Sequence, residues 1–140
     1  MADKYNQTLM SSNLIPGDVK QFVLDNIDSV AQLEGLLLLR GSPETPWNLA
    51  AIAQRLYIDQ QQTAGLLEPL CIRGFLTIRD AESPVYQYQP SSSDLKDMVD
   101  RLAEVYRQYL VPVTNLIHSK PQTRVQEFAD AFKLRDRRKK

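Results

Sequence analysis

Between Asn48 and Pro90 the apolar positions switch from a helical to an alternating period, and the order of the switches sets the architecture. Leu49, Ile52, Ala53 and Leu56 fall at i, i+3, i+4 and i+7, one face of a helix with Asn48 placed to cap it. Tyr57 and Ile58 interrupt that pattern. Asp59 then opens a second helix with Gln62 three residues on, the arrangement of a capping box. Thr63, Leu66, Leu67 and Leu70 give this helix its buried stripe. Gly74 ends it, because a chain turning sharply from helix to strand favours a residue that tolerates positive φ. Phe75-Leu76-Thr77-Ile78 and Val85-Tyr86-Gln87-Tyr88 are β-prone runs separated by the turn cluster Asp80-Ala81-Glu82-Ser83-Pro84, which predicts a hairpin. Leu56, Leu67, Leu70, Phe75 and Ile78 are expected in one core.

The flanking patterns are helical. Pro16 to Asn26 reads as a short helix with its proline in the first turn. A further helix, capped by Asp28 or Ser29, carries Val30, Leu33, Leu36, Leu37 and Arg40 to a stop at Gly41-Ser42-Pro43. After Pro90, Ser92 or Ser93 can cap a long helix whose first turn holds Asp94 and Asp97 near the positive end of the dipole. Leu95, Val99, Leu102, Tyr106, Tyr109, Val113 and Leu116 recur at alternating spacings of four and three, a heptad seam. Pro112 lies inside it and should kink or break the helix near Gln108, because its ring crowds the carbonyl four residues back. Lys120-Pro121 marks another break, and Val125, Phe128, Ala129 and Phe132 predict a last short helix.

The series Ala53-x-x-Leu56-x-Ile58-Asp59, followed by Leu67-x-x-Leu70-x-x-x-Gly74-Phe75-Leu76, resembles the helix-turn-helix and wing of bacterial winged-helix regulators such as the MarR and PadR families. The helix ahead of it fits the same pattern. The resemblance implies a mainly α fold with a small β-hairpin (α+β): a winged helix-turn-helix followed by a long C-terminal helix and a short terminal helix. The chain divides into a loose arm over 1–14, a winged-helix domain with its preceding short helix over 15–90, a helical dimerisation region over 91–132 and a basic tail over 133–140. The fold alone does not fix the function, since it serves both as a DNA reader and as a protein-docking module.

Composition narrows the classes. A chain of 140 residues, 43% of them hydrophobic, suits one domain with appended elements. The single cysteine, Cys71, cannot form an intramolecular disulfide. No apolar leader stands in Met1 to Asn13, and the longest aliphatic run, Leu36 to Leu39, is too short to span a bilayer, so a cytoplasmic protein without a membrane partner is expected. The zero net charge hides an asymmetry: residues 1–119 sum to −5 and residues 120–140 to +5. No phosphate loop or metal-spaced Cys/His set is present, so neither an enzyme nor a cofactor is expected. His118 reads as a packing or surface residue and Cys71 as a small core residue. Tyr106 and Tyr109 read as seam residues, with the floor of a ligand pocket as the alternative.

The DNA-reading expectation rests on the start of the second motif helix. There Gln60, Gln61, Gln62 and Thr63 would face base edges, glutamine pairing with adenine and threonine meeting a thymine methyl. Arg55 and Arg79 would meet phosphates, as would the tail residues Arg135, Arg137, Arg138, Lys139 and Lys140. The tail equally suits a solvated terminus, and glutamine suits any exposed helix face. Two dimer-related helix-turn-helices would read half-sites about 34 Å apart, with the seam Leu95, Val99, Leu102, Tyr106, Tyr109, Val113 and Leu116 joining two protomers. The same seam could instead fold back on Val19, Phe22, Val23 and Ile27.

Two features oppose DNA reading. From Trp47 to Pro90 there are three basic residues, Arg55, Arg73 and Arg79, against four acids, Asp59, Glu68, Asp80 and Glu82, with two of the acids at the wing tip. Pro69 lies within the reading helix, where a proline costs on the order of 3 kcal/mol unless the helix bends. The alternative is an interaction module whose acidic surface docks a basic protein.

Overall fold

The computed structural model describes residues 13–80 and 82–120. In chain order the elements are α1 (Gly17–Asn26), α2 (Val30–Arg40), β1 (Trp47–Asn48), α3 (Leu49–Leu56), α4 (Gln60–Ile72), β2 (Leu76–Arg79), β3 (Val85–Tyr88) and α5 (Ser93–Gln108). A further helical stretch, α6, occupies 110–120. The arrangement is a winged helix-turn-helix with helices added at both ends. The expected helix around Val125 to Phe132, the first twelve residues of the arm expected over 1–14 and the basic tail lie outside the described residues.

Helix ends follow the local chemistry. Ser29, Asn48, Asp59 and Ser92 each occupy an N-cap in extended conformation and accept from the amide three residues on. Pro16 stands at the N-cap of α1 and not within its first turn, and its carbonyl accepts from the Lys20 amide. At the end of α4, Gly74 has φ 87°. Its amide donates to the Cys71 carbonyl while that of Phe75 reaches back to Leu70, so the last turn closes as a Schellman motif with Phe75 and Leu70 both buried. A Cβ on Gly74 would stand 2.5 Å from Ser91 Oγ, so the close approach of the chain reinforces the conformational demand. α5 breaks at Tyr109 (φ −126°, ψ 54°), and the helix restarts with the Tyr109 carbonyl accepting from Val113. Pro112 thereby falls in the first turn of α6, where its missing N–H is not needed.

The sheet has three strands in the order β1-β3-β2, all antiparallel, so the hairpin gains a strand that no sequence pattern announced. Trp47 pairs with Tyr86 on one side of β3, and Ile78 pairs with Tyr86 on the other. Tyr86 and Tyr88, on the central strand, are buried. Ile78 is 53% exposed, contrary to expectation, on the edge strand β2; Leu56 is half-buried against the core.

The heptad seam is internal. Val99, Leu102, Tyr106, Val113 and Leu116 are buried in one core with Val19, Val23, Ile27, Leu33, Leu36 and Phe75, while Leu95 and Tyr109 are half-buried. The expectation that this seam joins two protomers is therefore corrected: its spacing marks an apolar face, and the chain's own α1 and α2 cover that face. Polar ties hold the packing. Arg40 Nε meets Asp100 at 3.0 Å, Arg101 forks the Asp18 carboxylate, and the Tyr106 hydroxyl donates to Glu34 at 2.6 Å. Burial and then that carboxylate push the Tyr106 phenol up to about 12, so it stays a donor at neutral pH.

The α1–α2 junction gathers a second set of ties. Arg73, just past α4, donates to the Asn26 carbonyl and pairs with Asp28 at 3.1 Å. Lys120 of α6 is 8% exposed and reaches the Ile27 and Val23 carbonyls and, at 3.5 Å, Asp28. Buried Gln32 accepts from the Asp28 amide and donates to the Leu66 carbonyl at 3.0 Å. One junction thus ties α4 and α6 to the same carboxylate.

Candidate nucleic-acid interface

The candidate interface comprises the α3–α4 turn, the first turns of α4 and the wing. α3 closes on Tyr57, whose backbone is left-handed (φ 59°, ψ 38°) and whose amide donates to the Ala53 carbonyl. The Ile58 amide donates to the same carbonyl at 3.3 Å, which reverses the chain and lets α4 begin at Gln60. Asp59 Oδ1 accepts from the Gln62 amide at 2.7 Å, and Gln62 leaves its own carboxamide exposed.

Gln60, Gln61 and Gln62 are all exposed on the opening turn of α4. Each carboxamide offers a donor and an acceptor, the pairing chemistry that an adenine edge matches. Thr63 does not join them. It is fully buried, and its hydroxyl donates to the Asp59 carbonyl at 2.8 Å. Thr63, Leu67 and Leu70 fall at i, i+4 and i+7 and form the face that enters the core, so a thymine contact by Thr63 is withdrawn.

Pro69 leaves α4 helical from Gln60 to Ile72. The carbonyl it deprives of an amide partner is that of Gly65, which lies on the exposed side where water can satisfy it. The disturbance falls after the first turn, and the Gln32 side chain holds the next carbonyl along.

The three arginines of this region separate by role. Arg73 belongs to the junction behind α4. Arg55 is exposed on α3, its guanidinium 5.6 Å from the Trp47 ring centroid, and Arg79 is exposed at the end of β2. Among the described residues neither Arg55 nor Arg79 takes part in an ion pair, whereas Arg40, Lys96, Arg101, Arg107 and Lys120 all do. The wing tip is acidic as expected: Asp80 adopts φ 64° and its carboxylate accepts from the Glu82 amide. Arg135, Arg137, Arg138, Lys139 and Lys140 lie outside the described residues.

Burial first, and the Glu68 charge second, raise the Cys71 thiol above its ordinary value, which disfavours the thiolate a nucleophile needs. His118 is exposed. Among the described residues no group of three or more His, Cys, Asp or Glu could hold a metal, and no helix is long and apolar enough to cross a membrane.

No protein-family model matches this sequence, and no curated protein does. Solved structures do match. MepR of S. aureus, in a complex with DNA, is 11% identical over 94% of this chain and 94% of its own, with a TM-score of 0.52. A single-substitution variant of MepR bound to an oligodeoxyribonucleotide is 13% identical over 97% of each chain, with a TM-score of 0.51. At such identities the likeness is one of fold, and the described residues have the winged helix-turn-helix fold.

Proposed function

We propose that the chain is a DNA-binding transcriptional regulator that inserts the start of α4 into the major groove and reads bases with Gln60, Gln61 and Gln62. The observation that carries this reading is the exposed glutamine turn, free of any structural duty beyond the Gln62 backbone cap and flanked by two arginines without ion-pair partners among the described residues. Arg55 and Arg79 supply phosphate contacts, and the tail residues Arg135, Arg137, Arg138, Lys139 and Lys140 extend them as an arm. MepR, a protein of the same fold, forms a complex with DNA, which supports DNA binding as the reading of this chain.

The regulator acts as a homodimer on paired half-sites. Its dimer contact uses a face other than the buried part of the seam; Leu110 and Val111, exposed where α5 gives way to α6, are apolar side chains open to a second copy. One specific observation favours a second reading, a protein-docking module for a basic partner: the wing tip presents Asp80 and Glu82 where a phosphate backbone would repel them.

Base substitution scans on a selected site test the proposal. Gln61→Ala is expected to relax preference at one base pair by about 1–3 kcal/mol and to leave the salt dependence unchanged. Removing Arg135 to Lys140 should weaken all sequences alike and flatten the salt slope by about 0.9 for each phosphate that the arm no longer neutralises. A uniform loss on Gln61→Ala, with no change in preference, counts against base reading by α4.

A further inference from the structure

Tyr57 is the least explained residue of the described chain. Its side chain is 94% exposed, so it contributes nothing to the core, and its backbone is left-handed, a conformation that disfavours any residue with a Cβ and is ordinarily given to glycine or asparagine. The reversal between α3 and α4 needs only that backbone shape, and glycine would supply it without strain. A large aromatic side chain held in an unfavourable conformation and pointed at water is the signature of a group kept for a contact outside the chain. Its place names the contact. Tyr57 lies in the turn of the helix-turn-helix, two residues after Arg55 and three before Gln60, beside the helix end offered to the groove.

Resting on the DNA-reading proposal above, we propose that the Tyr57 hydroxyl donates a hydrogen bond to a backbone phosphate oxygen at the edge of the major groove. Tyrosine hydroxyls serve as such positioning donors, setting register without reading sequence. The phenol is neutral, so the contact adds affinity without displacing a counterion, unlike those of Arg55 and Arg79. A neutral donor also suits this position, where the Asp59 carboxylate caps α4 two residues on.

The test compares Tyr57→Phe and Tyr57→Gly with the wild-type full-length chain, by fluorescence anisotropy on genomic fragments across a salt series and by thermal unfolding. Tyr57→Gly should unfold at the same temperature or higher, because it relieves the left-handed tyrosine. Both variants should bind about tenfold more weakly on every fragment, with the salt slope and the sequence preference unchanged. Tyr57→Phe binding like wild type overturns the hydrogen bond, whatever Tyr57→Gly does. Wild-type protein that binds no fragment at low salt overturns the DNA-reading proposal itself, and Tyr57 then falls with it. Wild-type binding with both variants unimpaired sinks only the role of Tyr57.

Discussion

Leu102→Asp should leave no cooperatively folded protein, and Leu102→Ala should lower stability by about 3 kcal/mol. Leu102 is fully buried on α5 within the core that joins α1, α2 and α5. A carboxylate there has no partner and no water, and its desolvation alone rivals the roughly 5–15 kcal/mol that holds an ordinary domain together. The alanine variant reports a smaller and measurable loss, the transfer of the missing methylenes plus the cavity they leave. Because the seam is covered by its own chain, that loss should not depend on protein concentration. Had the seam joined two protomers, the deficit would change with concentration, since folding and association would be linked. Urea unfolding at two concentrations a hundredfold apart, about 0.1 and 10 µM, separates the two arrangements.

Asp28→Ala is expected to cost roughly 3 kcal/mol, the lower edge of the range for breaking a buried ion pair, because Asp28 keeps 27% of its side-chain exposure. The carboxylate serves both Arg73 and Lys120, so its loss leaves two cations at a junction lined by the Asn26, Ile27 and Val23 carbonyls. The cost should be strongly non-additive. With Lys120→Met already in place, Asp28→Ala takes the carboxylate from Arg73 alone and no longer from two cations, so it should cost less than it does in the wild-type chain. Additive losses in this double-mutant cycle would mean that Asp28 and Lys120 do not share the junction.

The caps show how much of the fold could be read ahead of the structure, and why. Ser29, Asn48, Asp59 and Ser92 each precede an apolar-periodic run, and a side-chain oxygen at that position has an orphan amide within reach. Gly74 and the break before Pro112 were legible for the same reason, since both follow from backbone sterics at a single residue. β1 was not legible. Two residues carry no period, and Trp47–Asn48 become a strand only because the edge of β3 is there to pair with them. Ile78 has a β-prone sequence around it, but that pattern does not say that its strand is an edge of the sheet.

The exposure of Gln60, Gln61 and Gln62 was legible in the sequence, and the burial of Thr63 was not. Thr63 stands both in the first turn of α4 and on the i, i+4, i+7 face of the core, and burial decides which position matters. The charge count over Trp47 to Pro90 includes Arg73, whose partners Asn26 and Asp28 lie 47 and 45 residues earlier in the chain. The heptad seam had the analogous limit: spacing shows that a face is apolar and is silent on what covers it. Tyr57 drew no attention as a site residue, because nothing in its sequence neighbourhood announces a left-handed, fully exposed aromatic.

Nucleic-acid recognition is tested most directly by the affinity of the full-length chain for random genomic DNA across a salt series. Arg55 and Arg79 alone predict that log K falls linearly with log salt at a slope of about −1.8, and each phosphate met by the basic tail steepens it by about 0.9. Absent binding at about 50 mM salt, or an affinity indifferent to salt, would contradict DNA recognition and transfer the acidic wing of Asp80 and Glu82 to a basic protein partner.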